Sequence, residues 1–123
     1  MSENYLITSD DYKYKLILER YSERICALNS LIVEEIVDDR ICYTFKGELL
    51  VYITAFDDYV QLNFVMPYLN LVDFTNRCEV IPHEGINGDD IISFKLNYVI
   101  DVQYGVSLVQ QSLNYIRRFR LKK

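Results

Sequence analysis

The sequence predicts an α+β fold with a mainly antiparallel sheet of about five strands, in the order α-β-β-β-β-α-β-α. Three observations predict it. Four short, apolar-rich runs between Leu31 and Met66 are joined by pairs of turn-forming residues. A separate run from Ile92 to Ile100 alternates apolar and polar side chains, the period of a half-buried strand. Apolar residues at helical spacing flank this block on both sides. With 123 residues, one domain spanning 1–123 is enough to bury a core.

The first helix is expected from Ser9, whose hydroxyl can accept from free backbone N–H groups while Asp10 and Asp11 suit the positive first turn. Tyr14, Ile17, Leu18, Tyr21, Ile25 and Leu28 form its apolar stripe, and it ends near Asn29. Strands follow at Leu31–Val37, Ile41–Lys46, Leu49–Phe56 and Tyr59–Met66, turning at Asp38-Asp39, Gly47-Glu48 and Asp57-Asp58. Glycine first in a two-residue loop suits a type II′ turn, and Pro67 ends the ladder because it has no N–H to donate. A middle helix is expected from Asn70 to Ile81, with Asp73 as a capping-box acid and Leu71, Phe74, Cys78 and Ile81 as its stripe. A turn-rich loop from His83 to Asp90 leads to the last strand. Asp101 then caps a closing helix with Val106, Val109, Leu113 and Ile116 inward and Gly105 weakening its first turn.

If all three hairpin loops have two residues, directly paired residues share a face and the assignment propagates from strand to strand. One face then collects Leu31, Val33, Val37, Cys42, Thr44, Leu49, Val51, Ile53, Ala55, Val60, Leu62, Phe64 and Met66, with Glu35, Arg40 and Lys46 as charged exceptions, and reads as core. The other collects Ile32, Glu34, Ile36, Ile41, Tyr43, Phe45, Leu50, Tyr52, Thr54, Phe56, Tyr59, Gln61, Asn63 and Val65, a composition suited to a contact surface. A three-residue loop at 46–48 would exchange the faces of the first two strands.

Charge is uneven. Arg117, Arg118, Arg120, Lys122 and Lys123 crowd the last seven positions, leaving eight basic and eighteen acidic residues elsewhere, a net of -10 against -5 for the whole chain. An acidic body disfavours nucleic acid and anionic membrane, and the terminal cations are expected to offset the macrodipole of the last helix. Cys26, Cys42 and Cys78 are odd in number and widely spaced, which fits reduced, buried thiols in a cytoplasmic protein better than a disulfide framework. No leader-like or membrane-spanning run is seen.

No catalytic constellation is legible. His83 lacks a second ligand at metal spacing, the cysteines fall on apolar faces rather than in electropositive surroundings, and the aspartate doublets sit where caps and turns want them. Glu34 and Glu35 point to opposite sides of one strand and cannot act as a pair. No enzyme, metal or cofactor is expected. Eleven tyrosines and no tryptophan instead favour amphipathic contact area.

The amphipathic first helix, the meander GELLVYITAFDDYVQLNFVMPYL at Gly47–Leu69, the following strand and the closing helix resemble the YbjN-like proteins, whose fold is related to that of type III secretion chaperones. That resemblance implies a non-enzymatic, often dimeric protein that binds or regulates other proteins, described as a sensory-transduction regulator or as a chaperone holding a client. The segment from Val80 to Asp90 departs from the family pattern, with Pro82 and two glycines in place of a longer helix. The expected function is therefore a protein-interaction domain that contacts a protein partner, a client or a second copy, with Ile36, Ile41, Tyr43, Phe45, Tyr52, Phe56 and Tyr59 as contact residues. The alternatives are a small-molecule sensor with an apolar pocket between sheet and helices, or an acidic inhibitor of the immunity type.

Overall fold

The computed structural model describes residues 9, 11–38, 40–73, 77–82, 84, 89–96, 98 and 100–121. The class is α+β, with the elements α1 (Lys15–Cys26), β1 (Ile32–Val37), β2 (Arg40–Phe45), β3 (Glu48–Ala55), β4 (Val60–Val65), β5 (Glu79–Ile81), β6 (Ile91–Leu96) and α2 (Ile100–Tyr115). Among the described residues the sheet has six strands in the order β1-β2-β3-β4-β6-β5, antiparallel at every junction. Both helices lie on one side of it: a methyl group placed on Gly105 of α2 would sit 3.0 to 3.2 Å from Tyr21 of α1, Leu62 of β4 and Leu96 of β6.

The expected stripe of α1 is its buried face, with Ile17, Leu18, Tyr21 and Ile25 in the core. The helix starts later than Ser9. That hydroxyl does accept from a backbone N–H, that of Asp11 at 3.3 Å, but it closes an isolated turn. Tyr12 and Tyr14 explain the delay. Their phenols donate to backbone carbonyls at the β3–β4 turn, Tyr12 to Phe56 and Tyr59 and Tyr14 to Asp58, which anchors this stretch outside the helix.

The β1–β2 and β3–β4 connections have the expected register, pairing Val37 with Arg40 and Ala55 with Val60. The β2–β3 connection does not. Its turn residues are Lys46 and Gly47, with φ of 51° and 85°, so this is a primed turn with two left-handed residues rather than one opening at Gly47. That displacement alone would keep the faces unchanged, because it moves the register by two. What exchanges them is a β-bulge: Thr44 faces Leu49 while Tyr43 faces Val51, leaving Leu50 as the extra residue. Ile41, Tyr43 and Phe45 therefore share the helix side with Val51 and Ile53.

The expected contact residues Ile41, Tyr43 and Phe45 are consequently core, at 8%, 0% and 3% exposure. Leu31, Val33 and Val37, expected in the core, are exposed. From Val51 onward the third and fourth strands keep the predicted faces, and Val51, Ile53, Ala55, Val60, Leu62, Phe64 and Met66 are all buried; before the bulge the faces are exchanged, with Leu49 opposite Thr44 and Leu50, expected on the contact face, fully buried.

The expected helix from Asn70 to Ile81 is absent among its described residues. A short 3-10 turn spans Tyr68–Asn70, and Glu79–Ile81 is strand β5, paired with β6. Asp73 accepts hydrogen bonds from the Cys78 N–H at 3.1 Å and from the phenols of Tyr104 and Tyr68, which links it to α2. Phe74, His83 and the Gly85–Gly88 turn lie outside the described residues. In β6 the expected Ile92, Phe94 and Leu96 are buried, as is Ser93, expected on the wet side, but the strand ends at Leu96; Tyr98 and Ile100 are exposed, Ile100 as the first residue of α2. A π-helical turn, Ile116–Arg120, closes the chain's last helical segment, where Arg120 pairs with Asp89 and Glu48.

Candidate interaction surfaces

The sheet is covered on one side only by the described helices. Its other side carries Val33, Glu35 and Val37 from β1, Arg40, Cys42 and Thr44 from β2, Tyr52 and Thr54 from β3, Gln61, Asn63 and Val65 from β4, and Ser93 and Lys95 from β6, as the pairing Cys42–Tyr52–Asn63–Ser93 across four strands requires. Tyr52, Phe56 and Tyr59 are the expected contact residues that the fold places on this side, whereas Ile36 projects on the helix side of β1 and is 53% exposed. The signal that could have located this surface was the trio of charged exceptions. Glu35 and Arg40 contradict a dry face, and a single bulge turns them and their strands to solvent.

The aromatic rings here are held in place. Phe56 stacks on Tyr59 with centroids 4.7 Å apart, the Lys95 ammonium lies 4.6 Å from the Tyr59 ring, and the Arg40 guanidinium 4.8 Å from Tyr52. Such cation–π contacts contribute roughly 0.5 to 1 kcal/mol at exposed sites. At the centre, Ser93 Oγ donates to Asn63 Oδ1 at 2.9 Å, and both residues are buried although no described helix overlies them. Towards β5 the face dips into a polar cleft of about 290 Å³ lined by Gln61, Arg77, Glu79, Ser93, Lys95 and Tyr98.

A second concavity lies on the helix side, between α1 and the outer strand β1. This groove, about 350 Å³, is lined by the apolar Leu18, Ile36 and Ile41, by Ser22, and by the charged Lys15, Glu19, Glu23 and Glu34. Glu34 is held by neutral donors, the phenol of Tyr43 at 2.6 Å and the hydroxyl of Ser22. Among the described residues no cation lies within ion-pair distance of Glu19, Glu23 or Glu34.

Nucleophilic chemistry has little to work with. All three thiols are free, and all three are pushed up from the ordinary cysteine range by desolvation first. The nearby Glu34 adds to this at Cys26, Glu35 adds to it at Cys42 against the opposing pull of Arg40, and Asp73 helps to carry Cys78 to about 12. Cys26, expected on a core face, is instead exposed on α1. Among the described residues no cluster of three or more His, Cys, Asp or Glu side chains could hold a metal, and no helix is long and apolar enough to cross a membrane. Comparison with known protein families, with curated proteins and with solved structures returns no match.

Proposed function

We propose that this chain is a non-enzymatic protein-interaction domain, a cytoplasmic regulator or chaperone-like binder, whose uncovered sheet face docks on a second copy or on a client chain. The observation that carries this reading is the ordered aromatic array of Tyr52, Phe56 and Tyr59 on a sheet face that no described helix covers. Rigid aromatic side chains give large contact area at small entropic cost, the character of interface anchors. The raised thiols and the lack of a metal cluster among the described residues add nothing in favour of catalysis. The resemblance to YbjN-like proteins points the same way, although β5 stands where the middle helix of that pattern belongs.

Replacing Tyr52 and Tyr59 together by serine tests the reading. Neither side chain is buried in the core, so the fold should persist by circular dichroism while sedimentation shows association weakened by at least about tenfold. Wild-type protein that sediments as a monomer at every concentration and recovers no partner from its source cell overturns it. An acidic inhibitor of the immunity type is the second reading, favoured by the carboxylates that line the α1–β1 groove. Complex formation that collapses with added salt would select it.

A further inference from the structure

We infer that the groove between α1 and β1 is a docking site for an extended, cationic peptide segment that adds to the sheet as a strand beside β1. The inference rests on the reading of the chain as a protein-interaction domain and assigns it a second surface, distinct from the aromatic face.

The backbone supplies the first half of the site. β1 ends the sheet order, so among the described residues its outer edge has no neighbouring strand, and an edge of six residues presents N–H and C=O groups to an incoming chain. Every residue of β1 except Ile32 is exposed. A helix standing beside a free strand edge is the arrangement in which extended peptides are captured by strand addition: the main chain supplies affinity, and pockets for alternate side chains supply specificity.

The side chains supply the second half. Glu34 and Ile36 both project on the helix side, opposite Tyr43 and Ile41 of β2. They lie two residues apart, about 7 Å along a strand. A peptide laid beside β1 would place its own alternate side chains over the same groove. One would meet Ile36, Leu18 and Ile41, and the next, two positions away, would meet the carboxylates of Glu34, Glu19 and Glu23, with Lys15 the one cation among the described residues that line the groove. The complementary ligand carries an arginine or lysine two positions from an aliphatic residue.

Charge also selects between occupants. A second copy could pair its β1 with this one, but each register with near-complete overlap brings carboxylates together. Glu34 falls opposite Glu35 in one, Glu34 opposite itself in the next, and Glu35 opposite itself in the third. Like charges directly opposed across a strand pair are destabilising. The adjacent glutamates therefore block self-pairing at an edge that remains open to a cationic strand.

The test is selection of displayed random octapeptides on the full chain at low salt, followed by fluorescence anisotropy with the enriched peptides and amide hydrogen exchange over Ile32–Val37. The expected result is enrichment of a basic residue two positions from an aliphatic one, with exchange of β1 amides slowed on binding. Glu19→Lys with Glu23→Lys, both on the exposed side of α1, should weaken binding by about tenfold. Ile36→Lys should do the same, while Tyr52→Ser with Tyr59→Ser should leave peptide affinity unchanged. Absence of enrichment overturns the proposal, as does binding insensitive to the groove variants or abolished by the Tyr52/Tyr59 pair. Slowing of β1 exchange with protein concentration alone would show a second copy there and also overturn it. Loss of self-association in the Tyr52/Tyr59 variant is a separate measurement, so either reading can fail without the other.

Discussion

The phenol of Tyr21 donates to the backbone carbonyl of Gly105 at 2.8 Å, joining α1 to α2 at a point where both are buried against the sheet. Gly105 is not a flaw in the start of a helix. It is where α2 comes close enough to α1 and to β4 and β6 that a side chain has no room.

Gly105→Ala should therefore destabilise, although alanine favours a helix by about 1 kcal/mol over glycine. Its Cβ would meet Tyr21, Leu62 and Leu96 at 3.0 to 3.2 Å, all core side chains with little freedom to retreat. Overpacking of this kind costs about 1 to 3 kcal/mol, so a net loss is expected. Urea denaturation would show a lower midpoint at unchanged slope; a midpoint that rises would mean the core relaxes freely at this contact.

Tyr21→Phe removes only the hydroxyl, and the Gly105 carbonyl then lacks one buried donor. The expected loss is about 0.5 to 1.5 kcal/mol. A variant as stable as the parent would show that this link between the helices contributes nothing net.

The bulge at Leu50 makes a sharper prediction. Leu50→Ala should cost about 2 to 5 kcal/mol, as for other buried leucines, and retain the fold. Deleting Leu50 should cost a similar amount, because the ladder already skips this residue: Leu49 and Val51 would face Thr44 and Tyr43 in direct succession, so the side-chain faces are kept and the buried leucine is lost. Both variants are expected to keep a dispersed amide NMR spectrum; its loss in the deleted chain alone would show that the bulge itself is needed to seat β2.

Stability should fall at alkaline pH. Tyr21 and Cys78 both have their proton affinity raised in the fold, each by desolvation first. Tyr43 adds to the effect at Tyr21, and Asp73 adds to it at Cys78. A raised value in the folded chain means the unfolded chain releases its proton first. The contribution is complete below the unfolded values, about 9 for the thiol and 10 for the phenol, and for Cys78 it drains away as pH rises towards about 12. Urea midpoints measured from pH 8 to 11 should decline, and Cys78→Ala should flatten the earlier part of that decline. A flat profile in the parent would contradict the burial of both groups.

On the uncovered face, Ser93→Ala leaves the Asn63 side-chain oxygen without its 2.9 Å donor. A cost of about 1 kcal/mol is expected, and the amides of β4 and β6 should exchange faster than in the parent. Unchanged exchange there would assign the pair to solvent rather than to the ordering of the face.

What the sequence determined by itself is local and periodic. The stripe of α1, the buried alternation of Ile92, Phe94 and Leu96, the pairing of Val37 with Arg40, the Asp57-Asp58 turn and the class of the fold all follow from spacing, because helix and strand periods and turn chemistry act over a few neighbouring residues. Tertiary structure decided the rest. Tyr12 and Tyr14 bond to partners distant in the chain, which delays α1, and pairing with β6 makes Glu79–Ile81 a strand where the end of a helix was expected. Above all, the face assignment of β1 and β2 depends on one extra residue in β3. Side-chain parity in a sheet has no local energy of its own, and only packing against the helices selects Tyr43, Phe45 and Ile41 as the side to bury.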